Sequence, residues 1–115
     1  MTQSVAGAFA GRVAVLTDRH CASACEDFVI RFKSGQRSPV LGKATWGLAG
    51  QPYRVRFADL GMEVQVSTKR EALPDGSRFE GVGVMPDIAV PPMTSDFSAA
   101  GDPQRNRALA AIPAH

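Results

Sequence analysis

The hydrophobic pattern of the first half of the chain predicts a strand, a helix and a second strand. The segment "RVAVLT" (12–17) is a short apolar, β-branched run, which is typical of a buried strand. A helix is expected over residues 23–35 and a second short strand over "SPVLGKAT" (38–45). The apolar face of the helix is expected to comprise Phe28, Val29 and Phe32. Strand, helix and strand in this order indicate a parallel βαβ unit and an α/β fold.

Apolar and polar residues then alternate between residues 51 and 73, which predicts a β-hairpin. "DLG" (59–61) is a suitable short turn, because Gly61 can take a positive φ. The apolar positions that should share one face are Tyr53, Val55 and Phe57 on the first strand and Met62, Val64 and Val66 on the second.

The remainder of the chain is expected to be mostly irregular. A turn-rich loop covers 73–79, an extended segment covers 82–92, and an irregular linker covers 94–101. Asp102 and Pro103 predict the start of a last short helix, with Asp102 as its cap. Residues 94–115 are therefore predicted to be a linker and a terminal helix.

Size and charge exclude several classes of function. The chain has 115 residues, which favours one domain, and a net charge of +2 with acids and bases well mixed. No basic stripe suggests a nucleic-acid partner, and no apolar segment approaches the ~20 residues that span a membrane. The N-terminal residues lack the features of a signal peptide.

The two cysteines, Cys21 and Cys25, are predicted to be free thiols that pack around a turn. Their spacing is not that of a zinc site, and no further ligands stand at a suitable distance, so no metal or other cofactor is expected. A disulfide between them is possible in principle, but one turn of helix holds these side chains poorly for the required geometry.

Ser23 has two interpretations. Ser23 and Glu26 fit a capping box at the start of a helix. A serine that follows a buried strand and opens a helix is also suited to nucleophilic attack, because free N–H groups at the helix start, such as that of Ala24, can stabilise an oxyanion. Position alone does not decide between cap and nucleophile.

Four motifs in order make the chain resemble the carboxyl-terminal processing (tail-specific) serine peptidases and their tricorn-type relatives. The motifs are "SACEDF" (23–28), "GKATWG" (42–47), "PDG" (74–76) and "GVMPDI" (83–88). The resemblance extends from about residue 11 to residue 91. It implies a crotonase/ClpP-like βαβ core with a β-hairpin, in which Ser23 is the nucleophile and Ala24 supplies an oxyanion donor. It also implies that Trp46, Gly47 and Leu48 line the substrate cleft, although Trp46 could equally belong to the core.

The catalytic base is the main departure from the family pattern. Where the processing peptidases carry a lysine, this chain has Leu48. The tricorn-type branch uses a histidine, supported by a glutamate for which Glu80 is the candidate; the alternative for Glu80 is a solvated loop residue. His20 is too close to Ser23 along the chain to face it, and His115 is the last residue.

The resemblance therefore implies the C-terminal part of a serine peptidase core. The whole protein would cleave peptides or proteins through an acyl-enzyme, with its base on an upstream segment, and the chain alone would be inactive. The alternatives are a non-catalytic peptide-binding module and an acyl-transfer or lyase relative of crotonase-like architecture. Self-association, as a dimer, is expected through an exposed sheet edge or apolar face. The sequence assigns no compartment, while the resemblance suggests a periplasmic or exported whole protein.

Overall fold

The computed structural model describes residues 5–36, 38–91 and 101–112. Most of the predicted linker over 94–101 lies outside these residues, as does His115. The strands are β1 (Val15–Thr17), β2 (Val40–Gly42), β3 (Pro52–Phe57), β4 (Met62–Ser67) and β5 (Ile88–Ala89). The helices are α1 (Ala24–Ser34) and α2 (Pro103–Ala111), and a 3-10 turn covers Ala58–Leu60. The described chain is thus a small mixed α/β structure.

The β1–α1–β2 unit is parallel, as the sequence predicts. Val15 pairs with Val40, and β5 pairs in parallel with the other side of β2, which gives the strand order β1–β2–β5. All residues of the central strand β2 are buried. Both β1 and β2 are shorter than predicted. β1 begins only at Val15, opposite Val40, and β2 ends at Gly42, where φ is 122° and a Cβ would lie 2.1 Å from the Thr17 carbonyl oxygen.

The core lies between this sheet, α1 and the loop that leads into β5. Its buried members are Val15, Cys21, Val29, Val40, Phe79 and Val84. The predicted apolar face of α1 is correct for Val29 but wrong for Phe28, which is 54% exposed and contacts Phe32 with ring centroids 4.8 Å apart. Phe28 and Val29 point about 100° apart because they are neighbours on a helix. The three short strands cover only a narrow face of α1, so Val29 is buried and Phe28 is left exposed.

The hairpin β3–β4 forms as predicted and is a separate two-stranded sheet. The register pairs the apolar residues across the strands: Tyr53 with Val66, Val55 with Val64, and Phe57 with Met62. Gly61 takes the left-handed conformation at the turn, with φ of 59°. All of these apolar residues except the half-buried Val55 are exposed, so one whole face of the hairpin meets solvent.

Helix α2 begins where the sequence predicts, with Asp102 accepting a hydrogen bond from the Arg105 N–H at 3.0 Å. It contacts β1 and β2. In the described part of the chain, none of the helices has the length and apolar character that crossing a bilayer requires. The described residues also contain no cluster of His, Cys, Asp and Glu that could hold a metal ion.

Candidate active site

Ser23 lies on a strained turn at the point where α1 begins. Its φ of 55° and ψ of −121° correspond to the first central position of a type II′ turn, which glycine usually occupies. Such a conformation costs a serine about 1–3 kcal/mol and persists only where the surroundings enforce it. Residues held in strained conformations are concentrated at functional sites. Ser23 is also exposed on a tight turn before a helix, and the nucleophiles of other hydrolases lie on turns of this kind.

Ala24 supplies a free N–H beside this serine. As the first residue of α1 its N–H has no partner within the helix, and no described residue accepts a hydrogen bond from it. The N–H groups of Glu26 and Asp27 are occupied, since both donate to the Ser23 carbonyl, at 2.7 and 3.1 Å. Among these, the Ala24 N–H is the one available to a developing negative charge.

Glu26 joins the serine turn to the glycine-rich loop that follows β2. Its side chain is fully buried. One carboxylate oxygen accepts the Ser23 N–H at 3.1 Å, as in the predicted capping box, and the other accepts the Thr45 hydroxyl at 2.5 Å and the Gly47 N–H at 2.6 Å. The Thr45 hydroxyl in turn accepts the Val84 N–H at 2.7 Å. Residues of the first, second and fourth sequence motifs therefore meet in one buried network.

The loop of Trp46, Gly47 and Leu48 lies directly against the serine turn. The Trp46 N–H donates to the Cys21 carbonyl at 2.9 Å, and the Leu48 carbonyl accepts the Ser23 N–H at 2.7 Å. Trp46 is 56% exposed, so the interpretation that it belongs to the core is wrong. Leu48 is also exposed, whereas Gly47 is buried. Two large side chains beside the serine are therefore accessible to a ligand.

The prediction of free thiols is wrong, because Cys21 and Cys25 form a disulfide. Their Cα atoms are 5.3 Å apart, within the range that a disulfide spans. Cys21 precedes α1 and is not part of it, and the unusual backbone of Ser23 turns the chain between them. The sequence argument assumed one regular turn of helix, which this segment does not form.

A cavity of about 290 Å³ opens beside Ser23. Its other lining residues are Ala24, Asp27, Ala49, Gly50, Gln51, Lys69 and Glu71. Lys69 and Glu71 form an ion pair there. The hydrogen bond from the Lys69 ammonium to Glu71 raises the pKa of Lys69, which keeps this amine protonated. It is therefore a poor general base, although it lies in the same cavity as the serine.

Glu80 does not line this cavity but lies next to a residue that does. Its carboxylate accepts the Glu71 N–H at 3.2 Å, and its own carbonyl accepts a hydrogen bond from Arg78 at 3.0 Å. The next residue, Gly81, donates to the Gly47 carbonyl at 2.8 Å. Glu80 is half-buried, so the alternative of a solvated loop residue does not describe it.

His20 is directed to Asp18 and lines another cavity. Asp18 accepts the His20 N–H at 2.8 Å, and the His20 ring nitrogen lies 3.4 Å from the other carboxylate oxygen. The hydrogen bond from the His20 N–H is the main reason why the pKa of Asp18 is lowered. The cavity that His20 lines also contains both cysteines, but not Ser23.

Sequence reasoning missed Lys69 and Glu71 and understated the role of Glu26. The segment 69–71 lies far from Ser23 along the chain, and it reaches the serine because the Thr68 and Lys69 N–H groups both donate to the Gly50 carbonyl. No local pattern reports such a contact. Glu26 in "SACEDF" and Thr45 in "GKATWG" are both apparent in the sequence. A buried glutamate needs a hydrogen-bond donor, and on this ground a contact between Glu26 and the Thr45 hydroxyl could have been predicted.

Three solved structures illustrate what the chain is similar to. A photosystem II D1 C-terminal processing protease is 30% identical, with a TM-score of 0.59, over 71% of this chain and 21% of its own. A peptidase candidate from Parabacteroides merdae is 28% identical, with a TM-score of 0.79, over 92% of this chain and 33% of its own. The tricorn protease shares the fold, with 24% identity and a TM-score of 0.78, over 89% of this chain and 10% of its own.

The family model for peptidase family S41 matches residues 2–90, which is most of the chain. The match contains the serine turn, the glycine-rich loop, the hairpin and the segment through β5. The chain spans a third or less of the length of the solved structures above. On this match and the shared fold, the chain belongs to peptidase family S41.

Proposed function

We propose that this chain carries the nucleophile of a serine peptidase that cleaves peptide bonds through an acyl-enzyme. The observation that supports this most is the backbone of Ser23, a non-glycine residue in a glycine-like conformation at the exposed start of a helix. A helix cap alone does not need that strain, because serine caps helices in an ordinary extended conformation. Asp102, which caps α2, has that ordinary conformation, with φ of −106° and ψ of 103°.

The chemistry follows from the groups around Ser23. Its hydroxyl oxygen attacks the carbonyl carbon of the scissile peptide, and its proton passes to a base. The oxyanion of the tetrahedral intermediate accepts the Ala24 N–H at the positive end of α1. Collapse of the intermediate releases the amine product and leaves an ester on Ser23, which water then hydrolyses. Trp46 and Leu48 would contact the peptide on either side of the bond.

The base is proposed to come from polypeptide outside these 115 residues. Lys69 is the amine in the cavity of Ser23, and its ion pair with Glu71 holds it protonated. Glu80 would orient an incoming histidine, as the third member of a triad does. Its hydrogen-bond partner Glu71 lines the cavity, which supports a position for Glu80 behind a base that enters there.

In this proposal the chain is the C-terminal part of a larger catalytic core with a crotonase/ClpP-like sheet. The strand β1 lies at one edge of the described sheet and would continue into strands of the upstream part. The substrate class, peptides or proteins, follows from the family. The disulfide beside the serine supports an exported location, because such bonds persist in oxidising compartments.

Turnover by the whole polypeptide tests the proposal. The protein and its Ser23→Ala variant are compared for hydrolysis of an unfolded protein substrate. Ser77→Ala is the matched control, since Ser77 is an exposed serine in a turn away from the cavity. We expect Ser23→Ala to lose at least about 1,000-fold in kcat and Ser77→Ala to keep the parental rate. Parental activity in Ser23→Ala would contradict the proposal.

A second candidate is a peptide-binding module without catalysis. It is favoured by the protonated Lys69, because the described residues place no other amine or imidazole in the cavity of Ser23. The same experiment separates the two functions. A binding module would retain a peptide with unchanged affinity in Ser23→Ala while neither protein cleaves it.

A further inference from the structure

The disulfide encloses the candidate nucleophile. Cys21 lies two residues before Ser23 and Cys25 two residues after it, so the covalent ring contains the strained turn. Cys21 is buried in the core, and its carbonyl accepts the Trp46 N–H at 2.9 Å. Cys25 is in the first turn of α1 and is exposed. The bond therefore connects the helix start to a fixed point in the core.

The strained conformation of Ser23 needs such a constraint. Hydrogen bonds from its N–H to Leu48 and Glu26 fix one side of the residue. The Cys25 N–H donates to the Ala22 carbonyl at 3.1 Å, and the disulfide adds a covalent constraint to this hydrogen-bonded path of the chain from Ala22 into α1. A serine released from this constraint would relax towards a commoner backbone conformation. Its hydroxyl would then leave the position in which Ala24 offers its N–H to the oxyanion.

The disulfide is also accessible to reagents. A cavity of about 380 Å³ is lined by both cysteines together with Thr17, His20 and Gln104. The Thr17 hydroxyl is buried and has no hydrogen-bond partner among the described residues. This cavity is separate from the one beside Ser23, so a reductant could reach the sulfurs without entering the proposed substrate cleft.

We infer that the Cys21–Cys25 disulfide positions Ser23 and makes its reactivity depend on redox state. A dithiol reductant supplies the two electrons and two protons that the reduction needs. One of its thiolates attacks the Cys25 sulfur and forms a mixed disulfide, which the second thiol of the reductant then resolves. The products are two cysteine thiols and the oxidised reductant. Reduction lowers the reactivity of Ser23 and reoxidation restores it. This inference rests on the proposed function of Ser23.

Labelling by a fluorophosphonate tests the inference on the whole polypeptide. The second-order labelling rate at Ser23 is measured before reduction, after reduction by a dithiol, and after reoxidation. We expect reduction to lower the rate on the order of tenfold, as the release of a strained conformation implies, and reoxidation to recover it. The matched control is Cys21→Ala with Cys25→Ala, which should label at the reduced rate and ignore the reductant.

Three results would overturn the inference. One is an equal labelling rate in both states when peptide mapping confirms that the thiols have formed. Another is the finding of two free thiols in protein that was never reduced. The third is a double variant that labels as fast as the oxidised protein.

A measurement that needs no reactive serine separates failure of this inference from failure of the proposed function. Amide hydrogen exchange of Ser23 and Trp46, whose N–H groups bond across the turn, is compared in the oxidised and reduced protein. Faster exchange after reduction, with unchanged exchange in β4, supports the positioning role even if Ser23 is never labelled. Equal exchange in both states contradicts it.

Discussion

Glu26 shows most clearly how single residues build the site. It is a fully buried carboxylate that receives hydrogen bonds from Ser23, Thr45 and Gly47. A carboxylate accepts on both oxygens, and these donors come from two segments that must stay together for the serine to keep its position. We therefore regard Glu26 as a positioning residue for the proposed nucleophile.

Replacement of Glu26 by glutamine should damage both stability and the site. Glutamine is nearly the same size, but its amide group would direct a donor at the Ser23 N–H or the Gly47 N–H and leave one of them unpaired. We expect Glu26→Gln to lower the free energy of unfolding by about 1–3 kcal/mol. Asp27→Asn, an exposed change in the same helical turn, should cost less than about 1 kcal/mol. Equal urea midpoints for the two variants would contradict this role.

Gly83 gives the motif "GVMPDI" a steric explanation. It has φ of 91°, and a Cβ there would lie 2.1 Å from the Thr45 carbonyl oxygen. Gly81 also has a positive φ, of 75°, but a Cβ there would meet nothing within 4 Å. Gly83→Ala should therefore destabilise the chain by about 1–3 kcal/mol more than Gly81→Ala, which shares the backbone penalty without the clash. Chemical denaturation measures this, and equal losses would show that the loop moves aside.

At the scale of elements, Asp87 connects α1, β2 and β5. One carboxylate oxygen pairs with the Lys33 ammonium of α1, and the other accepts the Val40 N–H at 2.9 Å. The Asp87 N–H donates to the Val40 carbonyl at 2.8 Å, and Lys33 also donates to the Met85 carbonyl at 2.9 Å. Partial burial acts to raise the pKa of Asp87, but the hydrogen bonds from Lys33 and Val40 outweigh it and lower this pKa.

The lowered pKa of Asp87 predicts a pH-dependent contribution to stability. Because the folded pKa lies below the unfolded value of about 3.9, the contribution is complete above roughly pH 4 and is lost as the pH falls through the folded pKa. The difference in unfolding free energy between the parent and Asp87→Asn should shrink over that range. Lys33→Met should remove much of the same pH dependence. A difference that stays constant or grows on acidification would contradict the assignment.

Regular elements could be predicted from the sequence where the signal is local. The alternation of β3 and β4 indicates which residues share a face, and Gly61 indicates the turn, so the hairpin and its shared apolar face are confirmed. Asp102 and Pro103 likewise locate the start of α2. The length of β1 is not local information, because the strand begins only at Val15, where it meets Val40, the first residue of its partner β2.

The site is harder to predict because its geometry depends on contacts between distant segments. The four motifs in order, through the family resemblance, were sufficient to propose Ser23, Ala24 and the loop from Trp46 to Leu48 as site residues. The conformation of Ser23 depends on the Leu48 carbonyl and on Glu26, and without it the disulfide cannot be foreseen. The approach of Lys69 to the cavity depends on the hairpin returning to Gly50.

At the scale of the whole molecule, the chain is more extended than a compact domain. Its radius of gyration is 17.8 Å, whereas about 13 Å is expected for a compact domain of this length. The apolar hairpin face of Tyr53, Val55, Phe57, Met62, Val64 and Val66 contributes, because no other described strand or helix covers it. We propose that this face associates with another copy when the 115 residues are produced alone.

Two substitutions on one strand test the association. Val66 lies on the apolar hairpin face and Gln65 on the opposite face, and both are exposed. Val66→Lys should weaken dimerisation at least about tenfold, equivalent to 1.4 kcal/mol, because the buried ammonium finds no partner there. Gln65→Lys should leave the dimer unchanged. Sedimentation equilibrium measures both, and a parent chain that stays monomeric at all concentrations would contradict the proposal.

The central claim, that Ser23 is a nucleophile and not only a cap, is tested most directly by mapping a fluorophosphonate adduct on the oxidised whole polypeptide. Tandem mass spectrometry should find the phosphonyl group on Ser23. Labelling should disappear in Ser23→Ala, persist in Ser77→Ala, and be absent from the 115-residue chain, which lacks the proposed base. An adduct at any other serine, or labelling that survives Ser23→Ala, would contradict the account.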